Sequence, residues 1–515
     1  MICFSFPRLT AFLSLTVLLA GCRDPKEEYA WESEKTPEFL KVGEQFLEIL
    51  PVADGLDVPW GMAYHENKIL FTEIKGKVKS LDLETGNVQT LLTLNDVFTR
   101  TTPGLLDITI APRGNGDPLV FINYTKKQDS LLVSTLMRYT YDGENLQNPK
   151  ELLRVKGALG HNGSRLLVDR DRDILYWATG DAADNHYAQD STILNGKVLR
   201  MHLDGSIPKD NPIAGSYVYA WGFRNIQGLA SDGRGNLFTS EHGDAIEDEV
   251  NLILPLHNYG WPLVEGMHDT PQEIALQTRK ANLTPPIRPW TPVIAPAGLA
   301  YYGSDEIKQW KNSLLLVTLK NQSLRVLTLG EGNKSIGQER VYFSEKYGRM
   351  RAVLTAPNGD IYLSTSNRDW NPQPGFPKEN DDRILRLRVS TSNPAEYMQE
   401  DALPDAALNT ESNGATLYKT YCASCHQADG KGVKGVFPAL VGSQNIGDLR
   451  TFSQLLLNGT SEKKDIQGVR YEQDMASFGF LRDEQLIAII NYVNNRFGNG
   501  KELTQKEFET YESNN

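Results

Sequence analysis

The segment Tyr421-Cys-Ala-Ser-Cys-His426 places a histidine directly after two cysteines that are separated by two residues. This spacing is typical of covalent haem c attachment, in which two thioether bonds fix the porphyrin and the histidine binds the iron. A redox-active dithiol or half of a zinc site is the alternative interpretation, but the sequence contains no second Cys-x-x-Cys pair. We therefore predict that Cys422 and Cys425 hold haem c and that His426 is an axial ligand of its iron.

The second axial ligand is expected to be a methionine further along the chain. Met475 follows His426 by 49 residues and is the last methionine of the sequence. Residues 482–496 then place four apolar side chains on one face of a predicted helix: Leu486, Ile489, Ile490 and Val493. With Phe437-Pro-Ala-Leu, which matches the proximal loop of class I cytochromes c, these features resemble that family over residues 413–498. The resemblance implies a small all-α domain in which Met475 is the second iron ligand.

The N-terminal segment has the features of a targeting signal. Arg8 is the single charge before an apolar run over residues 11–20, which is too short to cross a membrane comfortably. The run ends in Leu19-Ala-Gly-Cys22, which resembles a bacterial lipobox. We expect residues 1–21 to be a lipoprotein signal peptide, Cys22 to carry lipid and residues 22–44 to form a tether. The alternative is an ordinary signal peptide followed by a chance cysteine. Either way the protein is exported, and the lipid would anchor it to a membrane in the periplasm, inner or outer.

The composition limits the remaining choices. The 515 residues are too many for one ordinary hydrophobic core, so at least two domains are expected. Hydrophobic residues make up 40% and charged residues 23%, which is typical of a globular chain. The 53 basic and 65 acidic residues give a net charge of −12, which argues against nucleic-acid binding. The four cysteines lie at the two ends of the chain, so they do not form a disulfide framework.

One structural unit recurs between about residues 45 and 390. It is a short apolar strand, a polar turn and a second apolar strand that ends in polar residues. The pairs are 60–64 with 69–73, 106–110 with 119–123, 165–169 with 175–181, 227–230 with 237–241, 297–301 with 314–318, and 351–354 with 361–365. Unequal spacing indicates loop insertions on a common unit, and units of this length predict an all-β, six-bladed β-propeller. An array of β-sandwiches is the alternative, but no linker separates the copies.

In such a hairpin, the residues before the first strand and those after the second strand lie on one rim of the propeller channel. The chemically distinctive residues occur at these two places. Before first strands lie His161-Asn-Gly-Ser-Arg165, Trp221-Gly-Phe-Arg-Asn225 and Tyr347-Gly-Arg-Met-Arg351, and after second strands lie Asp181, Glu241-His-Gly-Asp244 and Lys320-Asn321. A pocket with one histidine, several cationic side chains and acidic loops suits a polyanionic ligand together with a metal.

These residues resemble the quinoprotein glucose/sorbosone (aldose sugar) dehydrogenases, six-bladed propellers that bind pyrroloquinoline quinone (PQQ) and calcium. The resemblance covers about residues 50–390. It is carried by an ordered series of short stretches: Val58-Pro-Trp-Gly-Met, His161-Asn-Gly-Ser-Arg-Leu, Leu194-Asn-Gly-Lys-Val-Leu-Arg-Met, Gly222-Phe-Arg-Asn-Ile-Gln-Gly-Leu, Asp248-Glu-Val-Asn-Leu-Ile, Asn258-Tyr-Gly-Trp-Pro and Ser366-Asn-Arg-Asp.

The resemblance implies oxidation of the C1 hydroxyl of an aldose to a lactone, with hydride transfer from the sugar to PQQ. His161 would be the base that takes the proton, a role that suits a side chain titrating near working pH. Without the family context, a hydrogen-bonded structural histidine is the alternative. Arg224 matches the residue that stabilises charge on the quinone oxygen, and Asn225 lies beside it. The other matching cations, expected to hold the carboxylates of PQQ, are Lys320, Arg349 and Arg351.

The same resemblance implies two calcium sites. The carbonyls of Gly243 and Asp244 would bind an ion that also touches PQQ, and Glu249 with the Tyr259 carbonyl would help to hold a structural ion. Taken alone, residues 247–249 leave a solvated acidic loop as the alternative.

Three positions depart from the family pattern. Some relatives carry an acidic residue immediately before the base, where this chain has Gly160. Thr102 and His242 stand where relatives place amide side chains. These differences affect the expected substrate more than the expected cofactor. The long insertion over residues 262–290 is a further candidate for substrate selectivity, so the sequence does not identify the sugar.

The two domains together predict a function. Residues 45–390 form the propeller, 391–412 a linker, 413–498 the cytochrome domain and 499–515 a polar tail. A calcium-dependent lactonase or a carbohydrate-binding propeller has no need of haem, although a redox-sensing role remains open. A propeller that forms a quinol does need haem, because the quinol carries two electrons and haem passes them on one at a time. We therefore expect a PQQ-dependent sugar dehydrogenase whose partners are a sugar and an external electron acceptor, either a cytochrome or a respiratory-chain component.

Overall fold

The computed structural model describes residues 36–279, 282–403, 412–460, 464–466, 468–471 and 473–512. The expected signal peptide and the expected lipidation site at Cys22 lie outside the described residues. Within the described part of the chain, no helix is long and apolar enough to cross a membrane.

Six antiparallel sheets make up the N-terminal three quarters of the structure. Their strands, in chain order, are β1 (Glu38–Val42), β2 (Gln45–Ala53), β3 (Pro59–His65), β4 (Lys68–Glu73), β5 (Lys77–Asp82), β6 (Val88–Thr93), β7 (Leu105–Ala111), β8 (Leu119–Gln128), β9 (Leu131–Tyr141), β10 (Leu146–Lys156), β11 (Gly163–Asp169), β12 (Ile174–Thr179), β13 (Lys197–His202), β14 (Val218–Trp221), β15 (Ile226–Ser231), β16 (Leu237–Glu241), β17 (Asp248–Ile253), β18 (Arg288–Trp290), β19 (Pro296–Tyr302), β20 (Ser313–Thr318), β21 (Leu324–Leu329), β22 (Ile336–Tyr342), β23 (Met350–Thr355), β24 (Ile361–Thr365) and β25 (Ile384–Val389).

The sheets are the blades of a six-bladed propeller, which confirms the predicted fold. Five blades are consecutive four-stranded sheets, from β3–β6 to β19–β22. The six predicted hairpins are the inner strand pairs of the blades, and the innermost strands contact one another around a closed ring in which β23 meets β3. The core consists of apolar clusters between neighbouring blades; Phe71 and Tyr362, for example, fill the gap between the last blade and the first. Because both faces of each sheet are covered, strands such as β12 and β20 are buried throughout.

The ring is closed by the N-terminal strands. β2 pairs with β25 in a register that runs from Leu47↔Val389 to Ala53↔Ile384, and β1 pairs with β2 as the outermost strand of the same blade. The sequence assigned residues 22–44 to a tether, but β1 lies within that range and belongs to the last blade instead. Residues 391–403, the described part of the expected linker, extend this edge, since the Met398 amide donates to the Phe39 carbonyl at 2.7 Å.

Helices dominate the C-terminal domain. Two helices occur in propeller loops, α1 (Asn185–Gln189) and α2 (Pro271–Arg279). The C-terminal domain contains α3 (Gly414–Tyr421), α4 (Ala423–His426), α5 (Gln444–Gly447), α6 (Leu449–Asn458), the hairpin of β26 (Lys464–Ile466) and β27 (Val469–Tyr471), α7 (Asp483–Phe497) and α8 (Gln505–Glu512). Short 3-10 helices cover Lys308–Trp310 and Glu331–Asn333.

The predicted helix over residues 482–496 corresponds to α7, whose Ile489 and Ile490 are fully buried in the core of this domain. The expected polar tail is different from the prediction. It contains α8, and Phe508 on this helix is fully buried in the same core. Two aromatic residues in a strongly polar stretch gave too weak a periodic signal for this helix to be predicted.

Candidate functional site

A single cavity of about 1490 Å³ lies between one rim of the propeller and the C-terminal domain. Its lining contains most of the residues that the sequence singled out on both domains: His161, Arg224, Asn225, Gly243, Asp244, Lys320, Arg349, Arg351, Cys422, Cys425, His426 and Met475. The residues before first strands and after second strands therefore converge on one rim, as predicted. Glu249 and Tyr259 lie outside the lining. The cavity brings the proposed sugar-oxidising groups and the haem-attachment segment into one space.

His161 is held by a carboxylate that the sequence had left without a role. Its Nδ1 lies 2.9 Å from Oδ1 of Asp181, which is fully buried and follows β12. Trp261 Nε1 donates to the other oxygen of Asp181 at 2.8 Å. A carboxylate accepts hydrogen bonds, so Nδ1 of His161 is the donor and Nε2 is left as the proton acceptor. The arrangement is that of an oriented general base.

Arg224 supplies a fixed positive charge in the cavity. Its guanidinium donates to Asp244 Oδ1 at 2.7 Å and lies 5.3 Å from the centre of the Trp261 ring. Burial opposes the charged form, but Asp244 and Asp181 outweigh it and raise the pKa of Arg224. Within the described structure, its buried Nε–H has no hydrogen-bond partner. Such an N–H is available to an oxyanion or a ligand carboxylate.

Arg349, immediately before β23, and Arg351 on that strand both donate to Oδ2 of Asp369, so they point to the same side, as their alternation predicts. The Arg349 and Arg351 distances are 2.8 and 3.2 Å. Burial alone would raise the pKa of Asp369, but the two guanidiniums lower it. Two buried cations share one carboxylate, so a net positive charge remains for an anionic ligand. The signal that could have identified Asp369 is its position: like Asp181, it is an acidic residue shortly after a second strand.

Lys320 contacts the C-terminal domain, because its ammonium group donates to the Thr420 carbonyl on α3. Burial lowers the pKa of Lys320, and Asp248 partly opposes this effect. Asn225 holds the segment that carries His161, since its side-chain oxygen accepts from the Gly163 amide at 3.1 Å.

The expected calcium ligands lie in two places. Gly243 and Asp244 are at the cavity, where the Gly243 amide donates to Asp248 Oδ1 at 2.9 Å. Glu249 is buried beside Glu241; burial raises the pKa of Glu249 to about 7, and burial and Glu249 together raise that of Glu241.

Tyr259 stacks on Phe223 with ring centres 4.7 Å apart. Across the described residues, no three His, Cys, Asp or Glu side chains converge as a metal site. The residues expected to bind calcium offer carboxylate and backbone carbonyl oxygens, which are the donors that calcium prefers.

The positions that depart from the family pattern are ordered by local contacts. The Thr102 hydroxyl donates to the Leu159 carbonyl at 3.0 Å, just before the segment that carries His161. His242 Nε2 donates to the Pro296 carbonyl at 2.9 Å, and burial with the nearby Arg224 lowers the pKa of His242 to about 3. His242 is therefore a neutral hydrogen-bonding residue.

The C-terminal lining has the features of a haem c pocket. Cys422 lies at the junction of α3 and α4, and Cys425 lies on α4. His426 Nδ1 lies 2.9 Å from the Pro438 carbonyl. Since a carbonyl only accepts, Nδ1 carries the hydrogen and Nε2 is available to iron, as expected of an orienting contact behind a metal ligand. Met475 lies in the same cavity and is fixed by a backbone pair with Thr460.

Direct contacts dock the C-terminal domain on the propeller rim. Besides Lys320 with Thr420, Asn371 Nδ2 donates to the Ser424 carbonyl at 3.2 Å. Arg100 donates to the Lys434 carbonyl, and Trp370 stacks on Phe437 with ring centres 5.9 Å apart. The contacts involve both the segment that carries the cysteines and the loop after His426, so the Cys-x-x-Cys-His segment faces the propeller rim.

The family model described as Glucose / Sorbosone dehydrogenase matches residues 56–371, and the Cytochrome c model matches residues 411–496. The chain is 30% identical over 329 residues to aldose sugar dehydrogenase YliI of Escherichia coli, covering 61% of this chain and 88% of that protein. It is 38% identical over 106 residues to the fructose dehydrogenase cytochrome subunit of Gluconobacter japonicus, covering 19% of this chain and 21% of that protein.

Among solved structures, the PQQ-bound form of aldose sugar dehydrogenase from Streptomyces coelicolor superimposes with a TM-score of 0.59 at 32% identity. That match covers 67% of this chain and 98% of that one.

Proposed function

Because the chain belongs to the glucose/sorbosone dehydrogenase family and carries a C-terminal cytochrome c domain, we propose that it oxidises an aldose at C1 to the lactone and transfers the electrons through haem c to an external acceptor. The observation that carries the proposal is the shared cavity, which contains an oriented histidine base on one side and the Cys-x-x-Cys-His segment on the other. A lactonase or a carbohydrate-binding propeller would have no use for the second half of this cavity.

The residues at the propeller rim fit a tricarboxylate cofactor. Arg349 and Arg351 share one carboxylate and retain positive charge, and Arg224 has a buried N–H without a partner among the described residues. We propose that these side chains, with Lys320 and Asn225, hold PQQ. PQQ when bound would supply a two-electron acceptor for the hydrogen on the sugar carbon.

The chain's own residues perform the proton chemistry. Nε2 of His161 takes the proton of the C1 hydroxyl, and the buried carboxylate of Asp181 stabilises the imidazolium that results. The guanidinium of Arg224 stabilises negative charge that develops beside it. The oxidation releases two electrons and two protons per sugar, and haem c when bound would supply a one-electron carrier for those electrons. Cys422 and Cys425 would attach the haem, and His426 and Met475 would bind its iron.

We further propose that calcium binds at both expected sites. The carbonyls of Gly243 and Asp244 would hold an ion at the cavity, and Glu249 with the Tyr259 carbonyl would hold another behind it. The paired carboxylates of Glu249 and Glu241 support the second site, since a divalent cation offsets the cost of burying both charges.

The experiment that tests the reaction is product analysis. Purified protein is loaded with PQQ and Ca²⁺, supplied with an artificial electron acceptor and incubated with a panel of aldoses. Formation of an aldonolactone or its hydrolysis product from at least one sugar supports the proposal. His161→Ala should abolish product formation while PQQ binding is retained, and His257→Ala, at a histidine outside the cavity lining, is the matched control. If His161→Ala loses PQQ binding and His257→Ala retains it, a structural role for His161 is favoured instead.

We also propose that the protein is a periplasmic lipoprotein anchored through Cys22. Haem attachment to Cys-x-x-Cys-His and the lipobox-like sequence support export. Metabolic labelling with a radioactive fatty acid should mark the wild type but not Cys22→Ser. Labelling of both proteins would contradict the assignment.

A further inference from the structure

We propose that Gln473 and Asp474 of the cytochrome domain bind the sugar, so that the haem domain supplies specificity-determining side chains to the active site of the propeller. This inference rests on the proposed function and extends it. Both residues line the shared cavity together with His161 and Arg224.

Gln473 occupies the place that a side chain at position 160 would otherwise take. A Cβ atom built on Gly160 would lie 2.9 Å from Oε1 and 3.0 Å from Nε2 of Gln473. Gly160 immediately precedes the base, so the amide of Gln473 lies beside the reacting end of the site. The propeller has only a glycine here, Gly160, and the side chain beside it is Gln473 of the cytochrome domain.

Asp474 makes a hydrogen bond between the two domains. Asn185 Nδ2, in a propeller loop, donates to Asp474 Oδ2 at 3.3 Å. This is the carboxylate's one hydrogen bond within the described structure, so Oδ1 is available to another donor. The side chain is also within electrostatic range of His161, Asp181 and Arg224, which places the carboxylate near the proton-transfer groups.

These side chains suit a polyhydroxylated ligand. A carboxylate accepts from hydroxyl groups, and an amide both donates and accepts, so the pair can bind neighbouring sugar hydroxyls in one orientation. Both residues directly precede Met475, the expected iron ligand. The same short segment therefore reaches the sugar site and the haem, and docking of the cytochrome domain completes the binding pocket.

The test uses the full-length protein loaded with PQQ, Ca²⁺ and haem c, an aldose that the wild type oxidises, and the corresponding series of deoxy sugars. Asp474→Asn should raise KM for the parent sugar by about tenfold, because a neutral amide replaces the charged acceptor of the hydrogen bond, with a smaller change in kcat. The KM penalty for the deoxy sugar that lacks the bound hydroxyl should shrink in this variant, because the weaker partner distinguishes the two substrates less. Gln473→Ala should act in the same direction on the same or an adjacent hydroxyl.

Asp465→Asn, at an exposed carboxylate of β26 in the same domain, is the matched control and should change none of these values. Haem content and the reduced haem spectrum show whether each variant has folded. Gln473→Ala keeps the inference testable if Asp474→Asn does not fold.

The outcomes distinguish failure of the proposed function from failure of the sugar-binding role of Gln473 and Asp474. Failure of the wild type to oxidise any aldose refutes the proposed function and this inference with it. Turnover by the wild type, with KM unchanged in both variants or raised equally for parent and deoxy sugars, refutes the inference alone.

Discussion

The hydrogen bond between His161 and Asp181 offers a sharp test of the catalytic role. Oδ1 of Asp181 accepts from His161 Nδ1 at 2.9 Å and from the Ala183 amide at 2.8 Å, and Oδ2 accepts from Trp261 Nε1 at 2.8 Å. Asp181→Asn preserves the shape of the side chain but turns one oxygen into a donor. If the amide nitrogen replaces Oδ2, it faces the donor of Trp261, and if it replaces Oδ1, it faces the two donors of His161 and Ala183.

The size of the effect follows from the charge that forms during the reaction. When His161 takes the sugar proton, it becomes a cation next to the buried carboxylate. Two unit charges about 4 Å apart attract by about 4 kcal/mol at the effective dielectric constant of a protein site. Since about 1.4 kcal/mol corresponds to a factor of ten in rate, losing this attraction should slow the chemical step about 10³-fold. This value lies within the range of about 10²–10⁴ that general acid–base catalysis usually contributes.

The assay is stopped-flow measurement of haem reduction at saturating sugar, with protein preloaded with PQQ and Ca²⁺. Asp181→Asn should lower the rate about 10³-fold and leave the affinity for PQQ unchanged. Asp171→Asn, at an exposed carboxylate of the same blade, is the control and should behave as the wild type. A folded Asp181→Asn variant that is slowed less than about threefold would refute the assignment of His161 as a base oriented by this carboxylate.

Three further predictions concern the cofactors and the ion. Met475→Leu should keep haem attached but change its spectrum and lower its reduction potential, because the thioether ligand is lost. Met267→Leu, at an exposed methionine, should change neither property. An unchanged spectrum and potential in both variants would refute the ligand assignment. Burial raises the pKa of Glu249 to about 7, so without calcium the folded state takes up a proton more readily than the unfolded chain, and stability should fall as pH rises from about 4.5 to 7. The unfolding temperature should be higher without chelator than with it, and this difference should grow with pH. A difference that does not change with pH would contradict the second calcium site. Lys320→Met should weaken PQQ binding at least about tenfold in a fluorescence titration. Lys311→Met, at a surface ion pair, should leave the affinity unchanged. Wild-type affinity for PQQ in Lys320→Met would show that Lys320 does not bind the cofactor.

The propeller could be predicted because its signal is local and repeated. Each blade contains an apolar hairpin whose pattern is visible within about 20 residues, and six copies suffice to indicate the ring. The pairing of β2 with β25 could not be predicted in the same way, because Leu47 and Val389 are brought together only by closure of the ring. Helix α8 was missed because Phe508 stands among polar residues and is buried only against the rest of the cytochrome domain.

The site shows a similar division. The cationic and histidine residues were found because their types and their positions, before first strands or after second strands, are visible in the sequence. Asp369 and Asp181 were not assigned roles, since a buried carboxylate is recognised by the groups that it faces, and these come from other segments. The contribution of Gln473 also depends on docking of one domain on another, which no local pattern encodes.

We expect sugar oxidation and haem reduction to occur within one cavity of one molecule. The most direct test is the rate of haem reduction after mixing the PQQ- and Ca²⁺-loaded protein with sugar, measured over a wide range of protein concentration. We expect haem reduction that requires sugar, PQQ and protein together and whose rate constant is independent of protein concentration. A rate constant that rises in proportion to protein concentration would show that electrons pass between molecules, and reduction without PQQ would show that the propeller site is not their source. Either result would contradict electron transfer within one cavity.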